Sequence, residues 1–239
     1  MPATPSPSPR FATTRWSVVL AARHEDSRQA METLCRSYWY PLYAYVRRDG
    51  HSPHDAQDLT QEFFSRLVEK HWLRSAAPEQ GRFRTFLLVA MKRFLINEWH
   101  KSASLKRGGH ITHVPLDAED AERRFAGEPD LAPDAIYERR WAMTLLEQAL
   151  AALEAEFLAS SRAGDFHAMK HCLTLDRGSI SYAELAATMA CSEGAARVSV
   201  HRLRKRFREL FREGIAATLA EGEDVETEMK HVVAVLAGV

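Results

Sequence analysis

The sequence contains few of the features that mark secreted, metal-binding or membrane proteins. Only three of its 239 residues are cysteines, Cys35, Cys172 and Cys191, and no two of them form a CxxC pair. This spacing argues against a disulfide framework and against a cysteine-rich zinc module. No apolar run approaches the length of a membrane span. We therefore expect a protein of the reducing cytoplasm that has no membrane partner and no resident metal.

Neither positive nor negative charge is in excess. The 32 Lys and Arg residues balance the 32 Asp and Glu residues, so the formal net charge is zero. A general coat of positive charge is thereby excluded, and any affinity for nucleic acid has to come from local patches. The sequence has no glycine-rich phosphate loop and no serine nucleophile elbow. The hydrophobic content of 46% is enough for folded cores.

No alternating strand pattern is present, and helical periodicity dominates after a short first segment. Residues 1–13, rich in Pro, Ser and Thr, are predicted to form a disordered tail rather than a signal peptide or an anchor. The pattern predicts an all-α fold with two helical domains, one at each end of an acidic linker. The predicted segments are a first domain (14–109), the linker (110–136), a second domain (137–216) and a C-terminal extension (217–239).

The first domain is predicted to be a helical bundle with one acidic face. Its expected helices span about residues 16–23, 28–48, 53–70 and a long segment from Gly81 to Gly108. Ser52 and Pro53 give the third helix an N-cap and a proline at its first position. Its apolar stripe consists of Ala56, Leu59, Phe63 and Leu67, and a separate stripe carries Asp55, Asp58 and Glu62.

The segment from residue 179 to 210 predicts a helix-turn-helix. Ser181 and Glu184 have capping-box spacing before a first short helix, and Ser192 can cap a second. The inward positions of the second helix are Ala196, Val200, Leu203, Phe207 and Leu210, and its opposite face carries Arg197, His201, Arg204, Lys205 and Arg208. A solvated face usually mixes signs, whereas this face has no acid. The pattern therefore favours a helix that lies in a DNA major groove.

The order of these parts resembles the extracytoplasmic-function (ECF) type of bacterial RNA polymerase sigma factor, in the sigma-70 family. DAQDLTQEFFSRLVEK (55–70) is similar to the second conserved region of that family, and FRTFLLVAMKRFLINEWHK (83–101) to its promoter-melting helix. SYAELAATMACSEGAARVSVHRLRKRFREL (181–210) is similar to the fourth region. The resemblance covers residues 28–109 and 137–214, and agreement in two separated domains is more specific than a lone helix-turn-helix.

The resemblance implies a protein that is not an enzyme and needs no cofactor. It would bind core RNA polymerase, direct it to promoters and help to open the duplex. The implied contact with the polymerase beta-prime coiled coil uses Asp55, Asp58, Gln61 and Glu62, and the fourth region would meet the beta flap. The charge pattern agrees, because an acidic stripe suits a basic partner. An anti-sigma regulator is a further partner that the resemblance leaves open.

The resemblance also implies promoter DNA as a partner of both domains. The residues implied for the minus-ten element are Arg82, Arg84, Lys92, Arg93, Asn97, Trp99 and Lys101, with a flipped-base pocket near the 76–81 loop. Those for the minus-thirty-five element are Ser192, Arg197, His201, Arg204, Lys205 and Arg208. Arg93 stands where this family commonly has Asn, and Asn97 where it commonly has Asp. The preferred minus-ten bases therefore stay open.

Other readings of the same residues compete with this one. A helix-turn-helix regulator that acts without being a polymerase subunit is the main alternative. Metal or catalytic sets can be drawn from histidines and their neighbours. These sets are His51, His54, Asp55 and Asp58; His167, His171 and Cys172; and His110 with His113. The first set overlaps the predicted interaction helix, the second has no fourth ligand or general base nearby, and the third pair is predicted to lie in a loop.

Two segments have open roles. The acidic linker is either a nucleic-acid mimic for the polymerase channel or a solubilising tether. The extension is predicted to form an amphipathic helix through Val225, Met229, Val232 and Leu236. This helix would either extend the core of the C-terminal domain or cover a polymerase-binding or DNA-binding surface.

Overall fold

Over its described residues the protein is helical. The computed structural model describes residues 19, 28–69, 72–77, 81–102, 118–219 and 222–238, and it contains no strand there. The predicted all-α fold is confirmed. The α-helices are α1 (Arg28–Arg48), α2 (Pro53–Glu69), α3 (Phe83–Ser102), α4 (Ala118–Ala126), α5 (Pro133–Ala159), α6 (Ala163–Met169), α7 (Tyr182–Thr188), α8 (Glu193–Ala216) and α9 (Val225–Ala237).

Several predictions fall outside the described residues. They concern the disordered tail at 1–13, most of the helix at 16–23, the glycines at 108 and 109, and His110 with His113. The predicted flipped-base pocket lies partly outside as well, because residues 78–80 are not among those described. These predictions stay predictions.

The chain divides into two compact units. One lies within Ala12–Thr144 and Ala216–Val239, and the other within Leu145–Ile215. The core of the first unit is aromatic: Phe63 on α2 meets Phe94 on α3 with ring centroids 5.7 Å apart, and Tyr38 on α1 meets Phe83 at 5.6 Å. All four rings are buried, so they hold α1, α2 and α3 together as one bundle.

Local sequence explains where these helices begin and end. The Ser52 hydroxyl accepts a hydrogen bond from the Asp55 amide at 3.1 Å, and Pro53 opens α2, as predicted. α1 ends at Arg48, followed by Gly50 with a φ of 102°, a left-handed value that suits glycine. Pro41 lies inside α1 without ending it.

The first unit extends further along the chain than the sequence predicted. Residues 118–126, expected to be part of a linker, form α4, and Glu122 on α4 accepts hydrogen bonds from Tyr43 and Arg47 of α1. The C-terminal extension forms α9, which contacts α3 and the start of α5. The expectation that the C-terminal extension adds to the core of the C-terminal domain is wrong. The buried Glu228 carboxylate of α9 pairs with Arg82 and Arg84 of the first unit.

The second unit contains the predicted helix-turn-helix. Ser192 caps α8, accepting from the Ala195 amide at 3.2 Å, as predicted. Ser181 precedes α7 but makes no side-chain capping bond, so the predicted capping box is wrong. Only its backbone carbonyl takes part, accepting from the Leu185 amide at 3.1 Å. The turn between the helices contains Ala190 with a φ of 50°, in the left-handed region.

Candidate functional site

The acidic face of α2 is exposed at its first two turns. Asp55 and Asp58 are exposed, and the Asp58 carboxylate lies 3.1 Å from Nδ1 of His54. Glu62 is half-buried, and its carboxylate lies 2.6 Å from Arg66, which also reaches Glu98 of α3 at 2.5 Å. This third acid is therefore partly neutralised by its neighbours, and Asp58 is the acid best placed to meet a partner.

Gln61 was predicted on this face, and the structure corrects that assignment. Its side chain is buried, and so are its neighbours Thr60, Phe63 and Phe64. A residue on the core side of a helix cannot meet a partner without unfolding of the bundle. Helical periodicity did not reveal this burial, because residue 61 lies about 60° outside the arc of 56, 60, 63, 64 and 67, which are all buried.

Several of the predicted DNA residues are exposed on α3, but they do not all lie on one side of the helix. Arg93 and Asn97 are exposed, and 69% of the Trp99 side chain is accessible. Ile96 and Val89 lie exposed on the same helix. A cation, an amide and an open indole ring are the groups that can track a phosphate backbone and stack on an unpaired base. The Lys101 side chain lies outside the described residues.

Lys92, another predicted DNA residue, is half-buried and already paired. Its Nζ lies 2.6 Å from the carboxylate of Asp134, at the start of α5. Asp134 is exposed, and exposed ion pairs contribute little free energy. Exchange of this partner for a phosphate would therefore cost little.

Arg84 is not on the DNA-accessible surface. It is buried, with Nη1 at 2.6 Å from Glu228 of α9 and Nε at 3.0 Å from Glu138 of α5. Its guanidinium also lies over the Trp141 ring, 4.0 Å from the centroid. The prediction that Arg84 contacts DNA is wrong for this conformation, because two carboxylates and an indole ring enclose its charge.

Arg82 also pairs with the Glu228 carboxylate, but it is less enclosed than Arg84. Its Nη2 lies 2.7 Å from Glu228, and its Nε lies 3.4 Å from Glu223. The side chain is half-buried, with 31% accessible. Both described acidic partners of Arg82 come from the C-terminal tail.

The outward face of α8 keeps most of its predicted DNA residues in the open. The exposed ones are Ser192, Arg197, His201, Lys205 and Arg208. The Arg197 guanidinium lies over the Tyr182 ring of α7 at 4.4 Å, which orients it without burying it. Glu193 is 3.9 Å away at the first turn of α8. This face is positively charged and accessible, as a groove-binding helix requires.

Arg204 and Arg206, in contrast, are held by groups of their own unit. Arg204 donates to the carbonyl oxygens of Cys172 and Leu175. Arg206 pairs with Glu156 on α5 at 2.6 Å, and hydrogen bonds to that carboxylate raise the pKa of its guanidinium. The prediction of Arg204 as a DNA contact is wrong for this conformation, because its donors are directed at backbone carbonyls.

The alternative metal sets gain no support from the geometry. Within the described parts of the chain, no three His, Cys, Asp or Glu side chains are grouped as a metal site. Cys172 is buried, and burial raises the pKa of its thiol, which disfavours the thiolate that a metal needs.

Comparison with known families favours the sigma-factor reading. Residues 34–104, from α1 to the end of α3, match the model of Sigma-70 region 2. The chain is also 28% identical over 196 residues to the ECF RNA polymerase sigma factor SigE of Mycolicibacterium smegmatis, an alignment that covers 82% of this chain and 67% of that protein. The chain contains a Sigma-70 region 2 domain and is similar to ECF sigma factors. No solved structure matches it significantly.

Both matches support a sigma factor that acts in transcription initiation and binds DNA, and they favour a role other than enzyme catalysis. The region 2 match takes in both the acidic face of α2 and the exposed residues of α3. It ends before α4 and α9, which means that the elements pairing with Arg47, Arg82 and Arg84 lie outside it. Over the described residues, no helix is both long enough and apolar enough to cross a bilayer.

Proposed function

We propose that this sigma factor binds core RNA polymerase, directs it to promoters and helps to open the duplex. The observation that carries the proposal is the presence of two surfaces of opposite charge in separate units of one sigma-70 chain. One is the acidic face of α2 within region 2, and the other is the basic face of α8. A regulator that only binds DNA needs the second surface but has no use for the first.

The polymerase contact centres on Asp58. Its carboxylate is exposed, and its described partner is one histidine, His54, on the next helical turn. A basic coiled coil, such as that of the polymerase beta-prime subunit, would gain a charge pair there at little desolvation cost. Asp55 contributes negative charge, but its carboxylate also accepts a hydrogen bond from the Ser52 hydroxyl at 2.7 Å.

The promoter contacts divide between the two units. The exposed α3 residues Arg93, Asn97 and Trp99 would hold the opened minus-ten strand, because a flexible single strand offers both phosphates and unpaired bases. The exposed basic face of α8 would read the minus-thirty-five element in the major groove. The polymerase beta flap as a partner of the second unit, and the bacterial cytoplasm as the location, follow from the same proposal.

A charge reversal with a matched control tests the polymerase contact. Asp58→Lys should greatly weaken co-purification with core polymerase, whereas Glu69→Lys makes the same charge change on an exposed position of the same helix and should not. Circular dichroism should show both variants folded, because surface substitutions usually change stability by less than about 0.5 kcal/mol. Equal retention of both variants by core polymerase would contradict the assignment of this face.

A further inference from the structure

The C-terminal helix α9 covers a basic site on region 2. We propose that α9 is a displaceable cover, and that its departure releases Arg82 to bind the phosphate backbone of promoter DNA. This inference rests on the proposed function, since it assigns regulation to the same promoter-binding domain.

Glu228 is the contact that attaches α9 to α3. Its side chain is fully buried on the apolar side of the helix, one turn before the buried Val232. One carboxylate oxygen lies 2.7 Å from Arg82 and the other lies 2.6 Å from Arg84. A buried carboxylate between two guanidinium groups occupies the position that a phosphate would take, because arginine binds both groups with the same planar fork.

The two arginines depend on α9 to different degrees. Arg84 keeps Glu138 and the Trp141 ring when α9 is removed, since both belong to α5. Arg82 would lose both of its described carboxylates, Glu223 and Glu228, because both belong to the tail. Displacement of α9 would thus expose Arg82, while Arg84 stays buried under α5.

The rest of the α9 docking surface is modest. Beyond Glu228 and Val232, its apolar side chains are half-buried or exposed, and Val233 is 53% accessible. Two polar contacts join it to α5: Arg139 donates to the Leu236 carbonyl at 2.9 Å, and His231 lies 3.8 Å from Glu138. Elements with little buried apolar area open locally at low free energy, so α9 can leave without unfolding of the bundle.

α9 begins with a cap of its own, so its start does not depend on the elements that it covers. Asp224 caps it by accepting from the amides of Glu226 and Thr227, and hydrogen bonds from Thr227 and these amides lower the pKa of the Asp224 carboxyl. Gly222 precedes it with a φ of 89°, a value that suits glycine at a hinge. The helix therefore has its own cap and a turn that separates it from α8.

The salt dependence of DNA binding by the full chain tests this cover. The probe is a short fluorescent DNA duplex of mixed sequence, and no polymerase is present. Glu228→Gln should weaken the hold on Arg82 and steepen the dependence of log affinity on log salt by about 0.9, the value for one additional phosphate contact. Glu226→Gln removes the same charge from an exposed position on α9 and should leave the slope unchanged. The double variant Glu228→Gln/Arg82→Ala should return to the original slope.

An unchanged slope in a folded Glu228→Gln variant would overturn the proposal, and so would a steeper slope that persists without Arg82.

Hydrogen exchange on the unmodified protein gives a second test if the variant does not fold. The amides of residues 225–237 should be protected in the free protein and lose protection when the duplex is saturating. Equal protection in both states would show that α9 is a permanent structural element. Neither measurement uses polymerase, so failure of core binding would refute the proposed function separately.

Discussion

The guanidinium of Arg204 donates two hydrogen bonds to the carbonyl oxygen of Cys172, from Nε at 2.9 Å and from Nη2 at 2.7 Å. Cys172 lies in the 3-10 turn Lys170–Leu173, which follows α6, and Arg204 lies on α8. The side chain therefore joins the DNA-binding helix to the turn that supports it. An arginine of the basic helix that the sequence assigned to DNA stabilises the unit instead.

Substitution of Arg204 should reduce stability. Arg204→Ala should lower the free energy of unfolding by about 1 to 3 kcal/mol, because it leaves carbonyl groups without their donors. Urea unfolding followed by circular dichroism measures this change. Lys205→Ala, the adjacent and exposed residue, is the control and should change stability by less than about 0.5 kcal/mol. Equal stability of the two variants would show that the Arg204 bonds contribute nothing.

Arg197 should behave in the opposite way. It is exposed and oriented by the Tyr182 ring, so Arg197→Ala should leave the unfolding free energy nearly unchanged. In holoenzyme, it should weaken promoter binding by about 1 to 3 kcal/mol and relax the preference at one base position. Binding to a set of single-base promoter variants measures this effect. A uniform loss across all of them would mean that Arg197 contacts phosphate and reads no base.

The Glu122 carboxylate should make stability depend on pH. A hydrogen bond from Arg47 lowers its pKa below the ordinary value of 4.5, helped by one from Tyr43. A carboxyl whose pKa is lowered by folding stabilises the folded state at pH values above its ordinary pKa. This stabilisation is lost as the pH falls through the pKa that the group has in the folded state. Glu122→Gln should thus cost about 1 kcal/mol at neutral pH, and the difference should shrink in acid.

Unfolding at neutral pH and below pH 4.5 measures this dependence. Asp130→Asn is the matched control, because Asp130 also pairs with an α1 arginine, Arg48 at 2.9 Å, but its side chain is 98% exposed. Its loss should cost little at any pH. A constant difference between Glu122→Gln and the unmodified protein at all pH values would show that this carboxylate does not couple to folding.

Ala190 should be a site where glycine stabilises the protein. Its φ of 50° lies in the left-handed region, where a residue with a Cβ atom is strained by about 1 to 2 kcal/mol. Glycine removes this strain but loses more backbone entropy on folding, so the net gain is smaller than the strain. Ala190→Gly should raise the unfolding free energy by about 0.5 to 1 kcal/mol. Ala151→Gly, exposed inside α5, should lower it by about 1 kcal/mol. Thermal unfolding compares the two, and a shift of the same sign in both would refute the backbone argument.

Patterns that repeat along one helix were predictable from the sequence. The bounds of α1 and the Ser52 and Ser192 caps depend on neighbours within four residues, and the structure contains all of them. The predicted cap at Ser181 has equally suitable neighbours, yet only the backbone carbonyl of Ser181 bonds there. Residue types that allow a capping bond do not ensure that it forms.

The errors in the candidate site arose where a distant segment decides the role of a charge. Arg84 carries the same charge as Arg93, but Glu228 and Trp141 enclose only Arg84. One signal was available: Arg84 shares its helical face with Leu87, Leu88 and Met91, all buried, whereas Arg93 does not. An arginine in phase with an apolar stripe is a candidate for a buried ion pair rather than for DNA.

Distant partners also decide the role of the acidic linker. Its carboxylates were interpreted as a mimic of nucleic acid or as a solubilising tether, but in the described part Glu122 and Glu128 accept bonds from α1 side chains. Composition showed the acids and could not show the arginines and tyrosines of α1 that they would meet. The residues at 110–117 lie outside the described part, and the mimic stays a prediction for them.

The central claim is that this chain acts as the promoter-directing subunit of RNA polymerase. In vitro transcription from a genomic library, with purified core polymerase alone and with the added chain, tests this claim most directly. The account predicts that the two proteins co-purify and that discrete start sites appear only when both are present. A chain that binds palindromic DNA without polymerase, and that leaves the transcripts of core polymerase unchanged, would contradict it.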